Sequence, residues 1–93
     1  MVKSIKIDLD LFKRLKQDLN ISFEDMSLLT LLISLSDNEN NCCDISNEEL
    51  ADYFLTGERN VRKKLLKLES AGLIKRQSAA KNRLIYPQVN LFY

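Results

Sequence analysis

The sequence predicts a mainly α fold with a small β-hairpin, an α+β class. Apolar residues recur at three- and four-residue spacing as far as Ser70, and residues typical of helix caps precede these stretches. After Gly72 the pattern changes to alternation, which is typical of strands. With 93 residues and 45% hydrophobic content, the chain is expected to form one domain around one core, residues 1–93.

The first elements are a short strand and a leading helix. Residues 2–7 alternate weakly, which suits a strand, and residues 8–19 follow with helical spacing. Asp8 or Asp10 could cap this helix. The apolar face expected for it consists of Leu9, Phe12, Leu15 and Leu19.

Residues 22–36 predict a central helix. Ser22 with Asp25 three residues later forms a variant of the capping box. The apolar residues between 28 and 35 cover too wide an arc for a surface helix, so we expect this helix to be mostly buried. A polar loop of turn-forming residues follows at 37–41.

Two helices separated by a short turn are predicted over residues 46–72, after a possible short strand at 43–45. Ser46 and Glu49 form a capping box, and Leu50, Ala51 and Phe54 are the expected buried face. A turn at 55–57 leads into a helix from about Glu58 to Ser70. This second helix has Val61, Leu65 and Leu68 on one face, and Gly72 ends it because glycine tolerates a left-handed backbone.

A basic hairpin is predicted over residues 73–87. Its strands are expected at 73–78 and 83–86, joined by a turn at 79–82. Pro87 ends the hairpin because proline cannot donate to a strand ladder. An apolar tail follows at 88–93.

The sequence lacks the residues that several classes of function require. The chain has no histidine and two cysteines, Cys42 and Cys43, which are too few ligands for a structural zinc site. Neither Gly57 nor Gly72 precedes a Lys-Ser or Lys-Thr pair, which excludes a P-loop. We therefore expect no enzyme activity, no cofactor and no metal. The adjacent cysteines are expected to be reduced thiols, with a redox switch as the alternative.

The N-terminal residues do not predict a signal peptide, and no apolar run reaches the roughly 18 residues of a membrane span. The expected location is the cytoplasm, without a membrane partner.

Charge is strongly segregated although the net charge is only +1. Residues 1–16 contain five basic and two acidic side chains, residues 17–58 contain ten acidic side chains and no basic one, and residues 59–93 contain nine basic and one acidic. Such segregation is costly in self-repulsion, and it favours a polyanionic partner for the basic segment. A solvated basic face is the alternative.

Two short helices, a three-residue turn and a basic hairpin occur in the order of a winged helix-turn-helix. Residues 45–54 and 58–76 resemble the DNA-binding part of bacterial winged-helix regulators, and especially the N-terminal domains of plasmid and phage replication initiators. The resemblance covers about residues 43–87. Its most specific parts are the Leu50-Ala51 pair, ten residues ahead of Val61, and the run Leu-Glu-Ser-Ala-Gly-Leu-Ile at 68–74.

The chain departs from the pattern of that family in the turn. Leu55 occupies the position that glycine usually takes, and Thr56 stands where an apolar residue is expected. Leu55 therefore needs either an uncommon backbone conformation or a different turn geometry. Gly57 stands at the position of a capping serine, and glycine also serves there.

The resemblance implies which residues contact DNA. Arg59 and Asn60 have the chemistry to read guanine and adenine edges in the major groove. Phosphate contacts are the role implied for Arg62, Lys63 and Lys67. The full set is Glu58, Arg59, Asn60, Arg62, Lys63 and Lys67 in the recognition helix, and Arg76, Lys81, Asn82 and Arg83 in the wing.

The resulting hypothesis is sequence-specific binding of double-stranded DNA in transcription regulation or in plasmid or phage replication control. A domain of this size contacts few base pairs, so a homodimer on a repeated or palindromic site is expected. The alternative is a winged helix used as a protein–protein interaction module, for which the acidic middle segment and the apolar N-terminal helix would supply surfaces.

Overall fold

The computed structural model describes residues 8–78 and 83–90. Over these residues the chain is an α+β domain, as predicted, with four helices followed by one antiparallel hairpin. The predicted strand at 2–7, the hairpin turn at 79–82 and residues 91–93 of the apolar tail lie outside the described residues. The elements are α1 (Leu9–Asp18), α2 (Phe23–Leu35), α3 (Asn47–Tyr53), α4 (Glu58–Ser70), β1 (Ile74–Ser78) and β2 (Arg83–Pro87).

Local capping chemistry sets where the helices begin. The two predicted capping boxes are confirmed, Ser22 with Asp25 at α2 and Ser46 with Glu49 at α3. Of the two candidate caps of α1, Asp8 is the one used, and its carboxylate accepts a hydrogen bond from the Leu11 amide. Because each such cap satisfies backbone amides that lack a helical partner, it stabilises its helix by about 1 kcal/mol.

The core is built around α2. Met26, Leu29 and Leu32 are fully buried, which confirms the prediction of a central helix. Leu65 and Leu68 of α4 belong to the same cluster, together with residues of α3 and both strands. Fully burying a large aliphatic side chain contributes about 1.5–3 kcal/mol, so this cluster is the main source of stability.

Three expected core positions, Leu9, Leu19 and Phe54, are wrong. Leu19 is the C-cap of α1 and is 38% exposed. Leu9 is 72% exposed, because the face of α1 that packs on the core is rotated towards Leu11 and contains Phe12 and Leu15. Phe54 is also exposed. It is the C-cap of α3, where the helix has ended and helical spacing no longer aims the side chain at the core.

The hairpin pairs in antiparallel register from Ile74 opposite Pro87 to Ser78 opposite Arg83. On the other side of β2, Cys43 exchanges two backbone hydrogen bonds with Ile85, of 3.0 and 2.8 Å. The possible strand at 43–45 is therefore a single bridge. It ties the segment before α3 to the hairpin and makes the two parts one layer.

Cys42 and Cys43 are free thiols, both buried. Burial raises the pKa of the Cys43 thiol above its ordinary value, and the hydrogen bond with Ser36 only partly opposes this. Because the thiolate is the reactive form, this shift lowers the reactivity of Cys43. None of the helices among the described residues has the length and apolar character needed to cross a membrane.

Candidate nucleic-acid interface

The turn before α4 has the uncommon backbone that the sequence predicted. Leu55 has φ +50° and its side chain is 94% exposed. The Leu55 amide donates to the Asp52 carbonyl, and the Thr56 amide donates to the Ala51 carbonyl at 3.0 Å. These bonds satisfy carbonyls at the end of α3 and reverse the chain, so that α4 begins immediately afterwards with Gly57 as its N-cap.

The rotation of α4 about its axis follows from its apolar residues. Val61, Leu65 and Leu68 are buried at four- and three-residue spacing. At 100° per residue, Arg59 and Lys63 lie on the opposite side, and both are exposed. The core thus directs two cations outward, one turn apart.

Arg62 extends this outward face. It is exposed, and like Arg59 and Lys63 it makes no ion pair with any residue that the structure describes. The first half of α4 therefore presents three cations to solvent. We call Arg59, Arg62 and Lys63 the free face of α4.

The remaining predicted residues of this half of α4 are polar neighbours of the free face. Glu58 is exposed in the first turn. Asn60 is also exposed, and its amide donates to the Thr56 hydroxyl at 3.0 Å. This bond holds the Asn60 side chain in the turn of α4 nearest the N-cap.

One flank of α4 is held by the start of α2. The Lys67 ammonium lies 2.9 Å from Oδ2 of Asp25, and the Lys64 ammonium lies 3.4 Å from Oδ1. Lys64 also pairs with Glu24 at 3.0 Å. Asp25 is 3% exposed and still accepts a bond from the Ser22 amide. Lys67, predicted to contact phosphate, thus has an internal partner.

These contacts change two pKa values. Burial alone would raise the pKa of Asp25, but the hydrogen bonds from Lys67 and Ser22 outweigh it and hold the pKa below its ordinary value. Burial would lower the pKa of Lys64, but Glu24 and Asp25 outweigh it and raise that pKa. Both shifts favour the charged forms of Asp25 and Lys64.

The other flank of α4 is held by the hairpin. Arg76 lies 2.8 Å from Glu69, and its backbone amide donates to the second carboxylate oxygen at 3.3 Å. The pKa of Glu69 is lowered by the hydrogen bond from Arg76. Arg76, predicted to contact DNA from the wing, is thus paired with the one acidic residue of the C-terminal segment.

Arg83 is also directed inward. Its guanidinium donates to the Asn47 side chain and, at 2.7 Å, to the Ile45 carbonyl. Its Nε is buried and has no hydrogen-bond partner among the described residues. Burial, and then the nearby positive charge of Arg76, lower the pKa of Arg83. An arginine remains charged even so. This side chain therefore joins the hairpin to the start of α3.

The predicted residues thus separate into three groups. Glu58, Arg59, Asn60, Arg62 and Lys63 lie together on the first half of α4, while Lys67, Arg76 and Arg83 have partners within the domain. Lys81 and Asn82 lie outside the described residues.

Lys75 was missed by the sequence reasoning. It is exposed on β1 and forms no ion pair with the part of the chain that the structure describes. The period-two alternation of β1 could have identified Lys75, because neighbouring residues of a strand point to opposite sides and Lys75 therefore points away from the side of Arg76.

A groove of about 430 Å³ lies elsewhere, lined among others by Asn38, Cys42, Asp44 and Tyr53. Within residues 8–78 and 83–90, His, Cys, Asp and Glu side chains do not form any group of three that could hold a metal ion. Comparison of the chain with protein-family models, curated proteins and solved structures finds no match. The geometry and charge of its own residues therefore carry the functional argument.

Proposed function

We propose that this chain is a winged helix-turn-helix domain that binds double-stranded DNA with the first half of α4 in the major groove. The observation that carries the proposal is the free face of α4, three exposed cations without an internal partner in the described ranges. The element order supports it, since α3, a short turn, α4 and a hairpin follow one another. A helix about 10–12 Å across matches a groove about 12 Å wide.

The chemistry of each residue suggests its role. Arg59 can donate two hydrogen bonds to the guanine edge, and Asn60 can bond adenine if it leaves Thr56. Arg62 and Lys63, further along the helix, suit phosphates on the two sides of the groove. Lys75 of β1 and, in this proposal, Lys81, which lies between the two strands in the sequence, add phosphate contacts. Arg76 and Arg83 instead hold the hairpin against α4 and α3.

The biological setting proposed for this domain is transcription regulation or plasmid or phage replication control, in the cytoplasm, with a homodimer bound to a repeated or palindromic site. Few base pairs fit under one α4, so two copies would supply the missing specificity. Sedimentation with and without a palindromic duplex tests the dimer. A monomer at tens of micromolar in both cases contradicts it.

The first test is fluorescence anisotropy with a random duplex of 20–30 base pairs, titrated from about 50 to 200 mM salt. If the free face and the hairpin bind phosphates, the logarithm of the affinity falls with the logarithm of the salt concentration at about 0.9 per contact. Undetectable binding at the lowest salt concentration would contradict the proposal.

The second test separates base reading from phosphate binding on a selected site. Arg59→Ala is expected to cost about 1–3 kcal/mol on the preferred sequence and to relax specificity at one position. Lys63→Ala is expected to weaken binding to all sequences alike and to lower the salt slope by about one unit. Arg14→Ala, an exposed cation of α1, is the matched control and leaves both quantities unchanged.

A protein–protein interaction module is the second candidate. Leu55 and Tyr53 are largely exposed beside the acidic residues of α3, and they form a surface with apolar and anionic character. If DNA binding is absent, retention of a basic partner protein by the wild type but not by a Tyr53→Ser variant would support this candidate.

A further inference from the structure

The carboxylate of Asp25 does more than cap α2. A capping box needs only the exchange of bonds between Asp25 and Ser22, at 3.1 and 3.2 Å. Yet the same carboxylate contacts Lys64 and Lys67, which lie on successive turns of α4. One buried anion on α2 thus holds two cations of the helix proposed to bind DNA.

Lys67 is placed where it would otherwise extend the free face. Arg59, Lys63 and Lys67 follow one another at four-residue spacing, so their directions around α4 differ by only about 40° at each step. The side chain of Lys67 is 47% exposed, and its ammonium lies 2.9 Å from Oδ2 of Asp25. Without Asp25 the row of cations would be one turn longer, by about 6 Å.

We propose that Asp25 masks Lys67 from DNA and thereby confines phosphate binding by α4 to its first half; this inference rests on the proposed DNA-binding function. Phosphate contacts strengthen binding to every sequence, whereas Arg59 and Asn60 distinguish sequences. Withholding the phosphate contact of Lys67 therefore lowers non-specific binding while the base-reading residues stay free. Asp25 is a specificity-determining residue that acts through Lys67.

The test compares two lysines one turn apart, Lys63 and Lys67, by the salt slope on a random duplex. Lys63→Gln is expected to reduce the slope by about 0.9, and Lys67→Gln is expected to leave it unchanged. Equal reductions for the two variants would overturn the mask, because Lys67 would then contact phosphate in the wild type. This comparison leaves Asp25 and its cap intact.

A second experiment removes the carboxylate that binds Lys67. Asp25→Asn keeps the size of the side chain and a carbonyl oxygen for the Ser22 amide, but it removes the charge. Its salt slope is expected to rise by about 0.9 because Lys67 is released, whereas Lys64 keeps its pair with Glu24 at 3.0 Å. Adding Lys67→Gln is expected to remove this increment. A slope that stays at the wild-type value in Asp25→Asn, with the helical circular dichroism retained, would contradict the mask.

An independent measurement uses no DNA. In urea unfolding, Lys67→Gln is expected to lower the folding equilibrium constant several-fold in the wild type and to have no effect in Asp25→Asn, whereas Lys63→Gln is neutral in both. If DNA binding is absent from every variant, the proposed function and the mask both fail. If DNA is bound but Lys63→Gln and Lys67→Gln change the salt slope equally, only the role proposed for Asp25 is contradicted.

Discussion

Two stretches of the basic segment at residues 59–93 both contain several cations in the sequence, but these cations have opposite roles in the structure. Along the first half of α4, Arg59, Arg62 and Lys63 face solvent without an ion pair in the described part of the chain. Along the second half and the hairpin, Lys67 and Arg76 bind carboxylates of the domain. Whether the cations in such a run are available to a partner therefore depends on the anions that pack against them in the fold.

The difference follows from the packing of α4. Its second half lies between the start of α2, which contains Glu24 and Asp25, and strand β1, whose Arg76 reaches Glu69. Its first half follows the exposed turn at Leu55 and has no acidic neighbour across a packed surface in residues 8–78 and 83–90. Position in the packing, and not residue type, decides which cations stay available.

The largest effect on the free energy of unfolding is expected when two adjacent leucines, one on the buried side of α4 and one on its exposed side, are compared. Leu65 is fully buried and Leu66 is 56% exposed. Leu65→Ala is expected to lower the free energy of unfolding by about 2–5 kcal/mol, because it leaves a cavity in the core. Leu66→Ala is expected to change it by less than about 0.5 kcal/mol, as surface substitutions usually do. Urea unfolding measures both, and similar losses would mean that the rotation assigned to α4 is wrong.

The next effect tests whether Arg83 is structural. Replacing Arg83 by Gln removes the bonds to Asn47 and to the Ile45 carbonyl, and we expect a loss of about 1–3 kcal/mol in the free energy of unfolding. Lys75→Gln on the same hairpin is the matched control and is expected to stay within about 0.5 kcal/mol. A larger loss of stability for Lys75→Gln than for Arg83→Gln would contradict a structural role for Arg83 and an available charge at Lys75.

A smaller effect depends on pH. Because the pKa of Asp25 is lower in the folded chain than its ordinary 3.8, its contribution to stability is present above that value and is lost as the pH falls through the folded-state pKa. The difference in stability between wild type and Asp25→Asn is thus expected to be constant from pH 7 to 5 and to shrink at lower pH.

Asp44→Asn is the control for this titration, because Asp44 is exposed and pairs with no cation in the described residues. Its stability is expected to follow the wild type within about 0.5 kcal/mol at each pH. A difference between wild type and Asp25→Asn that grew on acidification would contradict the sign of the Asp25 shift.

The sequence predicted what depends on local chemistry and periodicity. Both capping boxes, the buried α2 and the inner face of α4 follow from residues within one or two helical turns of each other. The partners of Lys67 and Arg83 could not be predicted in this way. Lys67 meets Asp25 and Arg83 meets Asn47 across long separations in the chain, and only the packed arrangement of helices and hairpin brings those atoms together.

The smallest effect concerns the turn that leads into the free face, and it has the opposite sign. A left-handed backbone costs a residue with a Cβ about 1–2 kcal/mol, and the 94% exposed side chain of Leu55 recovers little by packing. Leu55→Gly removes this cost but adds freedom to the unfolded chain, worth about 0.4–1 kcal/mol, so a net gain of roughly 0.5 kcal/mol in the free energy of unfolding is expected. Leu55→Ala keeps the Cβ and is expected to match the wild type. A loss of stability in the glycine variant would mean that Leu55 contributes to folding, whereas a gain limited to glycine indicates that the turn is not optimised for stability. In that case the start of α4 differs from its second half in strain as well as in charge, as expected of a segment kept for contact with a partner.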